Sequence, residues 1–268
     1  MNRTELEAKR HASQLVDEGI LATISSEYPD LSLPPIVYVI AAYKEKDNIG
    51  RVLEGLPQTL AGLPTRAIVV VDGNDDGTGD LAKAAGAVTA IAPVNRGQGA
   101  ALKVGYAIAR TFGATYIVTA DADGQANVEA FEGIVAPLVA GELDFVNGSR
   151  ILGSTEVKSA ARNSGIFLFA HLISLTTRTK VTDTANPIRA FSTELAEKIQ
   201  LDEPQFQASE LLISAIMSGA RFGERPMTMK RRTSGSSKKG GNFSYGRSYA
   251  RVVFQTLQRE RRKKKLTR

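Results

Sequence analysis

Three short runs of consecutive apolar, mostly β-branched residues punctuate the first half of the chain. They are Ile36-Val37-Tyr38-Val39-Ile40, Ala67-Ile68-Val69-Val70-Val71 and Tyr116-Ile117-Val118-Thr119-Ala120. Each is short and shows no polar alternation, the pattern of a parallel strand covered on both faces. Between them lie segments of helical character over 47–59, from Thr78 onward, and over 97–112. Strand and helix alternating in this order predict an α/β fold with a mostly parallel central sheet and helices on both faces. Ligands in such sheets bind beyond the carboxyl ends of the strands. All three runs end in polar or acidic residues, at 43–45, 72–76 and 121–125. That convergence directs attention to one edge of the sheet.

Residues 1–32 read as a polar helical extension closed by Pro34-Pro35. Beyond Ile151 the pattern is less regular, with helices expected over 160–177, 209–219 and 245–262 and a Gly/Ser/Lys loop over 233–241. The expected division is an amino-terminal extension (1–34), a catalytic domain (35–250) and a basic carboxyl-terminal helix or tail (251–268).

Composition narrows the chemistry. The 268 residues, 43% of them hydrophobic, suffice for one substantial core. With no cysteine and only His11 and His171, widely separated, disulfides, thiolate metal sites and histidine-built metal sites are excluded, so any metal sits on oxygen ligands. The net charge of +6 is unevenly spread: residues 225–268 hold 15 Lys and Arg against Glu260 alone, leaving −8 for the rest. An acidic body with a basic end points to a phosphate-rich ligand or an anionic surface. The amino terminus lacks the apolar core of a signal peptide. The longest apolar run, 165–175, falls short of the roughly 20 residues that span a bilayer. The expectation is a cytoplasmic protein, soluble or peripheral at the cytoplasmic membrane face, its basic end either a disordered tail or a hold on anionic lipid. The extension at 1–34 is a candidate for a homodimer element, a membrane-surface helix or a regulatory arm.

Four constellations carry candidate chemistry. Asp121-Ala122-Asp123-Gly124-Gln125 is a DxD motif at a strand end. In extended backbone Asp121, Asp123 and Gln125 share a face, and Mg²⁺ or Mn²⁺ takes a few such carboxylates together with substrate phosphates. Asp72-Gly73-Asn74-Asp75-Asp76-Gly77 opens like a calcium loop, but Lys83 stands where that loop needs a bidentate Glu. Asp72 is instead placed to accept from a nucleobase or ribose. Gly97-Gln98-Gly99 lacks the third glycine of a dinucleotide fingerprint, leaving a phosphate-binding helix start and a structural turn both open. Arg232 and Lys238 bracket a flexible loop suited to closing over a pyrophosphate.

Taken together these motifs resemble the family-2 glycosyltransferases, in the dolichyl-phosphate mannose synthase-like branch that glycosylates polyprenyl phosphates. The resemblance runs from about Ile36 to Arg251, through Ala42-Tyr43-Lys44-Glu45, Asn48-Ile49, Val71 to Thr78, Asn95 to Gly105, the DxD motif, Gly148-Ser149-Arg150, Asp183 to Phe191, Glu210-Leu211-Leu212 and the 232–238 loop. It implies a Rossmann-like, GT-A type nucleotide-diphospho-sugar fold, inverting chemistry and a divalent cation. Ala42, Tyr43, Glu45, Asp72 and Asp121 match nucleotide-binding positions, and Asp121, Asp123 and Gln125 the metal and diphosphate site. Arg150, Arg162 and Arg189 match arginines that handle phosphate groups, and Arg232 and Lys238 the closing loop. Departures include Lys44 where Asn is usual, Gln98 where Lys is frequent, and Asn186-Pro187 in place of Ser-Gly.

The donor implied is a UDP- or GDP-sugar. A phosphate acceptor, with its second pKa near about 6, is already a nucleophile at neutral pH and needs arginines to position it. A hydroxyl acceptor needs a general base, for which Glu210 and Asp183 are the candidates. A nucleotidyltransferase wants a Gly-rich loop after the first strand, which Ala41-Ala42-Tyr43 does not supply. A nucleic-acid-binding role has only the 261–265 cluster behind it, with no interleaved aromatics.

Overall fold

The apolar runs become the central strands. A computed structural model describes residues 3–73, 76–156, 160–230 and 242–266. In chain order the elements are α1 (Arg3–Glu27), β1 (Ile36–Ala42), α2 (Ile49–Gly55), β2 (Thr59–Leu60), β3 (Leu63–Val71), α3 (Thr78–Ala84), β4 (Val88–Ile91), α4 (Gln98–Thr111) and β5 (Tyr116–Asp121). There follow α5 (Phe131–Val139), β6 (Phe145–Thr155), α6 (Ala160–Thr177), β7 (Arg189–Ser192), α7 (Thr193–Lys198), α8 (Gln207–Met217), β8 (Phe222–Met229) and α9 (Asn242–Leu266). The sheet runs β2-β3-β1-β5-β7-β6-β8, with β4 also on β3. β4, β3, β1 and β5 are mutually parallel, and β7 lies antiparallel between β5 and β6.

β1 is buried on both faces. Ile36, Tyr38, Ile40 and Ala42 join the apolar cluster under α2 and α5, while Val37 and Val39 join the one under α1, α4, α8 and α9. This is the two-residue strand period acting on an unbroken apolar run. The second cluster takes in Ile20 and Ile24 of α1 and Val253 and Leu257 of α9, so both terminal helices share the core of the central sheet. Among the described residues no helix is long and apolar enough to cross a membrane.

Several elements depart from the sequence reading. The helix expected over 47–59 stops at Gly55, and Thr59 and Leu60 instead pair antiparallel with Pro64 and Leu63. β4, α5, β6, β7 and β8 were not anticipated. β6 carries Asn147, Gly148, Ser149 and Arg150, which break any apolar pattern. Their polar groups are satisfied from a distant loop: Asn147 Nδ2 donates to Asp183 O (2.7 Å) and Asn186 Nδ2 to Gly148 O (2.7 Å). Local sequence holds no trace of such partners.

Candidate active site

Register places the three polar strand ends together. Ala42 pairs with Val71, Ala41 with Asp121, and Asp72 N donates to Ala42 O (2.9 Å). Asp72, Asp121 and Asp123 therefore lie along one carboxyl edge of the sheet, as the parallel topology requires.

Asp121 and Asp123 line a cleft of about 170 Å³ with Asn48, Arg51 and Gly124. Asp123 is nearly buried and accepts from Gln125 N (3.1 Å), an Asx turn that fixes the loop after β5. Gln98 Nε2 donates to Asp121 Oδ1 (3.3 Å) from the first residue of α4. The Gln125 amide donates to Lys230 O (3.0 Å), tying this loop to the end of β8. Among the described residues no three acidic or histidine side chains gather as a ready-made metal cage. Two carboxylates at an open cleft fit a hard cation that completes its shell with substrate oxygens and water.

The β1 end holds the remaining nucleotide-site candidates. Ala42 is buried and contributes its carbonyl. Lys44 adopts a left-handed φ of 56°, with Nζ 5.4 Å from the Tyr43 ring centroid. Glu45 accepts from Asn48 Nδ2 (2.8 Å), and its own N–H donates to Thr78 Oγ1 (3.1 Å). Thr78 in turn donates to Asp76 (2.5 Å), which helps hold the Asp76 carboxyl below its ordinary range despite the opposing pull of desolvation.

Asp72, the nucleoside-site candidate, is already engaged within the fold. Its carboxylate is 3% exposed and accepts from Arg96 N (2.9 Å) and Gly97 N (2.7 Å), while Asn95 Nδ2 donates to its carbonyl (3.0 Å). It holds the loop before α4 rather than presenting both oxygens to a nucleoside. Gly73 permits this approach: at φ +72° a Cβ there would lie 2.3 Å from Asn95 N. The Gly97-Gln98-Gly99 segment resolves as a structural turn. A Cβ on Gly99 would meet Glu203 O at 2.3 Å, and Gly99 N donates to Pro204 O (3.0 Å), so these amides are already engaged. Asn74 and Asp75 lie outside the described residues.

Across the sheet, Arg150 and Asp183 form a fork-to-fork pair, Nε–Oδ2 at 2.7 Å and Nη2–Oδ1 at 2.8 Å. Desolvation opposes charge on both. The mutual hydrogen bonds overcome it, holding the Asp183 carboxyl below the usual range and the Arg150 guanidinium above its own. The charge of Asp121 also acts on Arg150, which ties this pair to the DxD edge. Asp183 thus positions Arg150, and a carboxylate held ionised in this way is a weak proton acceptor.

Glu210 and Arg189 both turn inward. Glu210 is wholly buried; it accepts from Asp202 N (3.0 Å), Glu203 N (2.9 Å) and Arg259 Nη1 (2.6 Å). A carboxylate so enclosed has no access to an acceptor hydroxyl. Arg189 is 1% exposed, with Nε donating to Asn147 Oδ1 (3.0 Å) and Asn186 O (3.1 Å) and Nη2 to Thr184 O (3.2 Å). Burial lowers its pKa to about 10, and Nη1 is left without a partner. It braces β7 against β6 and the 183–188 loop instead of meeting a phosphate. Arg162 has its side chain outside the described residues, as do Arg232 and Lys238 entirely.

Two further arginines border these elements, Arg51 at the cleft and Arg96 in the loop before α4. Arg51 was detectable in the sequence, three residues beyond Asn48 on the same face of α2. Arg96 was not: its Nη1 reaches Ser13 O (3.0 Å) and Asp17 Oδ1 (2.8 Å) on α1, about eighty residues upstream.

Comparison with known proteins bears on this architecture. The model of the family described as Glycosyl transferase family 2 matches residues 38–200, from within β1 through the DxD motif, Arg150 and Asp183. The chain belongs to glycosyl transferase family 2. An uncharacterized protein of Methanocaldococcus jannaschii is 31% identical to this glycosyltransferase over 78% of its length and 86% of the relative's. A dolichyl-phosphate hexose transferase of Haloferax volcanii is 29% identical over 82% of this chain and 94% of its own. Among solved structures, glucosyl-3-phosphoglycerate synthase from Mycobacterium tuberculosis, bound to Mn²⁺, UDP and glucosyl-3-phosphoglycerate, superposes with a TM-score of 0.61 at 20% identity, covering 90% of this glycosyltransferase and 83% of that chain. At that identity the likeness establishes the shared GT-A fold.

Proposed function

We propose that this glycosyltransferase moves a sugar, with inversion, from a UDP- or GDP-sugar to a polyprenyl phosphate. The observation that carries the acceptor class is the state of the two carboxylates available as general bases. Asp183 is committed to Arg150 and Glu210 to Arg259 and two backbone amides. A hydroxyl acceptor needs a base; a phosphate monoester arrives already ionised. The name of the Haloferax relative, a dolichyl-phosphate hexose transferase, supports the same class. UDP and Mn²⁺ in the M. tuberculosis synthase support a nucleoside diphosphate donor with a divalent cation.

In this reading Tyr43, Glu45 and the β1 end cradle the nucleoside, and Asp121 and Asp123 face its diphosphate. A divalent cation, Mg²⁺ or Mn²⁺, held by these two carboxylates would offset charge on the leaving diphosphate. Arg150, held by Asp183, orients the acceptor phosphate, whose oxygen bonds to the anomeric carbon as the bond to the diphosphate breaks. Arg232 and Lys238 add cationic donors to the departing group. Residues 35–250 would form the catalytic unit, with 1–34 and 251–268 as elements appended to it.

Asp123→Ala should lower transfer by roughly two to three orders of magnitude, the usual loss when one group stabilising transition-state charge is removed. Its melting temperature should stay near wild type. Initial rates with detergent-dispersed polyprenyl phosphate and with soluble sugar alcohols, each at saturating Mn²⁺, test the acceptor. Faster transfer to the alcohols would overturn the lipid-phosphate reading.

A further inference from the structure

Two helices leave one apolar and cationic face uncovered. The inner stripe of α9 (Tyr249, Val252, Val253, Thr256 and Leu257) is buried, at the i, i+3, i+4, i+7, i+8 spacing of a packed helix face. Its outer stripe, Phe254, Gln258, Arg261, Arg262 and Lys265, faces a groove of about 560 Å³ shared with Leu172 and Thr176 of α6. On α6, Leu168 and Leu175 lie at i−4 and i+3 from Leu172 and are each 66% exposed; Phe254 is 57% exposed. The Phe169 and Tyr249 rings, 4.7 Å apart, fasten the two helices together. Solvent-facing leucine and phenylalanine beside a cationic run are an expensive surface for water and a favourable one for a membrane interface.

We infer that the α6–α9 face docks on an anionic lipid bilayer, with Leu168, Leu175 and Phe254 entering the acyl boundary and Arg261, Arg262 and Lys265 lying among the headgroups. Charge selects this occupant over a second copy of the chain. Pairing two such faces would bring the same cations together, and Glu260, the acid on α9, already accepts from Arg259 and Lys263. Among the described residues Arg261, Arg262 and Lys265 meet no carboxylate. The face is also joined to the candidate site. Tyr249 donates to Thr184 Oγ1 (2.5 Å), next to Asp183, and at about 1.5 Å of helix rise per residue Phe254 lies roughly 7 Å farther along the axis. A lipid phosphate raised from such a bilayer would arrive on the Arg150 side. The inference deepens the acceptor reading above, and its test avoids turnover so that either can fail alone.

The probe is co-sedimentation of the full chain with vesicles of phosphatidylcholine, alone or mixed with phosphatidylglycerol, all free of polyprenyl phosphate. Wild type should bind the mixed vesicles and release in high salt. A triple R261Q/R262Q/K265Q variant should bind them about a hundredfold more weakly, since each cation near an anionic surface is worth about fivefold. A double L168S/F254S variant should also lose about tenfold on the same vesicles. Both variants alter exposed side chains, and unchanged circular dichroism and melting temperature would show that folding is not the cause. Equal binding by wild type and both variants, or no binding by wild type, would overturn the inference. So would light scattering that shows a wild-type dimer split by the variants while vesicle affinity stays the same.

Discussion

Arg150 and Asp183 show how one side chain is made useful by another. A bidentate pair fixes the guanidinium plane, and a fixed donor array recognises phosphate better than a mobile one. Asp183→Asn should therefore slow transfer through a raised KM for the acceptor while leaving donor KM near wild type. It should also cost about 3 kcal/mol of stability at neutral pH, because a buried guanidinium loses its counter-charge. The pH dependence has a definite sign. A carboxyl whose folded pKa is depressed stabilises the fold above its unfolded value of about 3.9, and that contribution disappears as pH falls through the lower folded value. Acid unfolding of wild type should steepen in that window, and the Asn variant should show a shallower fall in denaturant-derived stability. An identical acid limb in both proteins would contradict the assignment. Arg189 belongs to the same network in a different way, as a buried brace with one orphan donor, a feature that costs about 1–3 kcal/mol wherever it occurs.

Among the elements, α8 and α9 are joined through charge as well as apolar packing. Arg259 on α9 spans Glu210 on α8, Glu260 and Asp202, while Val253 and Leu257 fill the core beneath. Arg259→Ala should lower stability by about 3–5 kcal/mol, since Glu210 would remain buried without its cation. Chemical denaturation read by circular dichroism measures it. A loss under about 0.5 kcal/mol would mean that the pair is solvated and not structural. α1 acts at a distance of another kind: Asp17 and Ser13 hold Arg96, whose backbone amide is held by Asp72. The amino-terminal helix is thereby coupled to the loop that leads into α4.

At the scale of the whole molecule, the nucleotide site proposed along the carboxyl edge at β1 and β5 predicts that ligand binding stabilises the entire domain. UDP or GDP with Mn²⁺, at about a hundred times its Kd, should add about 2.7 kcal/mol, which is roughly 5–10 °C in melting temperature for a chain of this size. No shift with either diphosphate in the presence of metal would remove the nucleotide site from this edge. Much of that edge was legible beforehand. Unbroken apolar runs at 36–40, 67–71 and 116–120 admit little but buried parallel strands, and parallel strands must deliver 43–45, Asp72 and the DxD motif to one side. The fold class and the grouping of the strand-end residues needed only local pattern and order, and the family needed only the resemblance of the motifs to a known one. Which residues in that group are open to ligand needed the tertiary structure. Asp72, Glu210 and Arg189 carry the same functional groups as Asp123 and Arg150, but their partners come from Arg96, Arg259 and Asn147, distant in sequence. Burial and the pairing of a charge are properties of what packs against a residue, and chain order alone does not encode them.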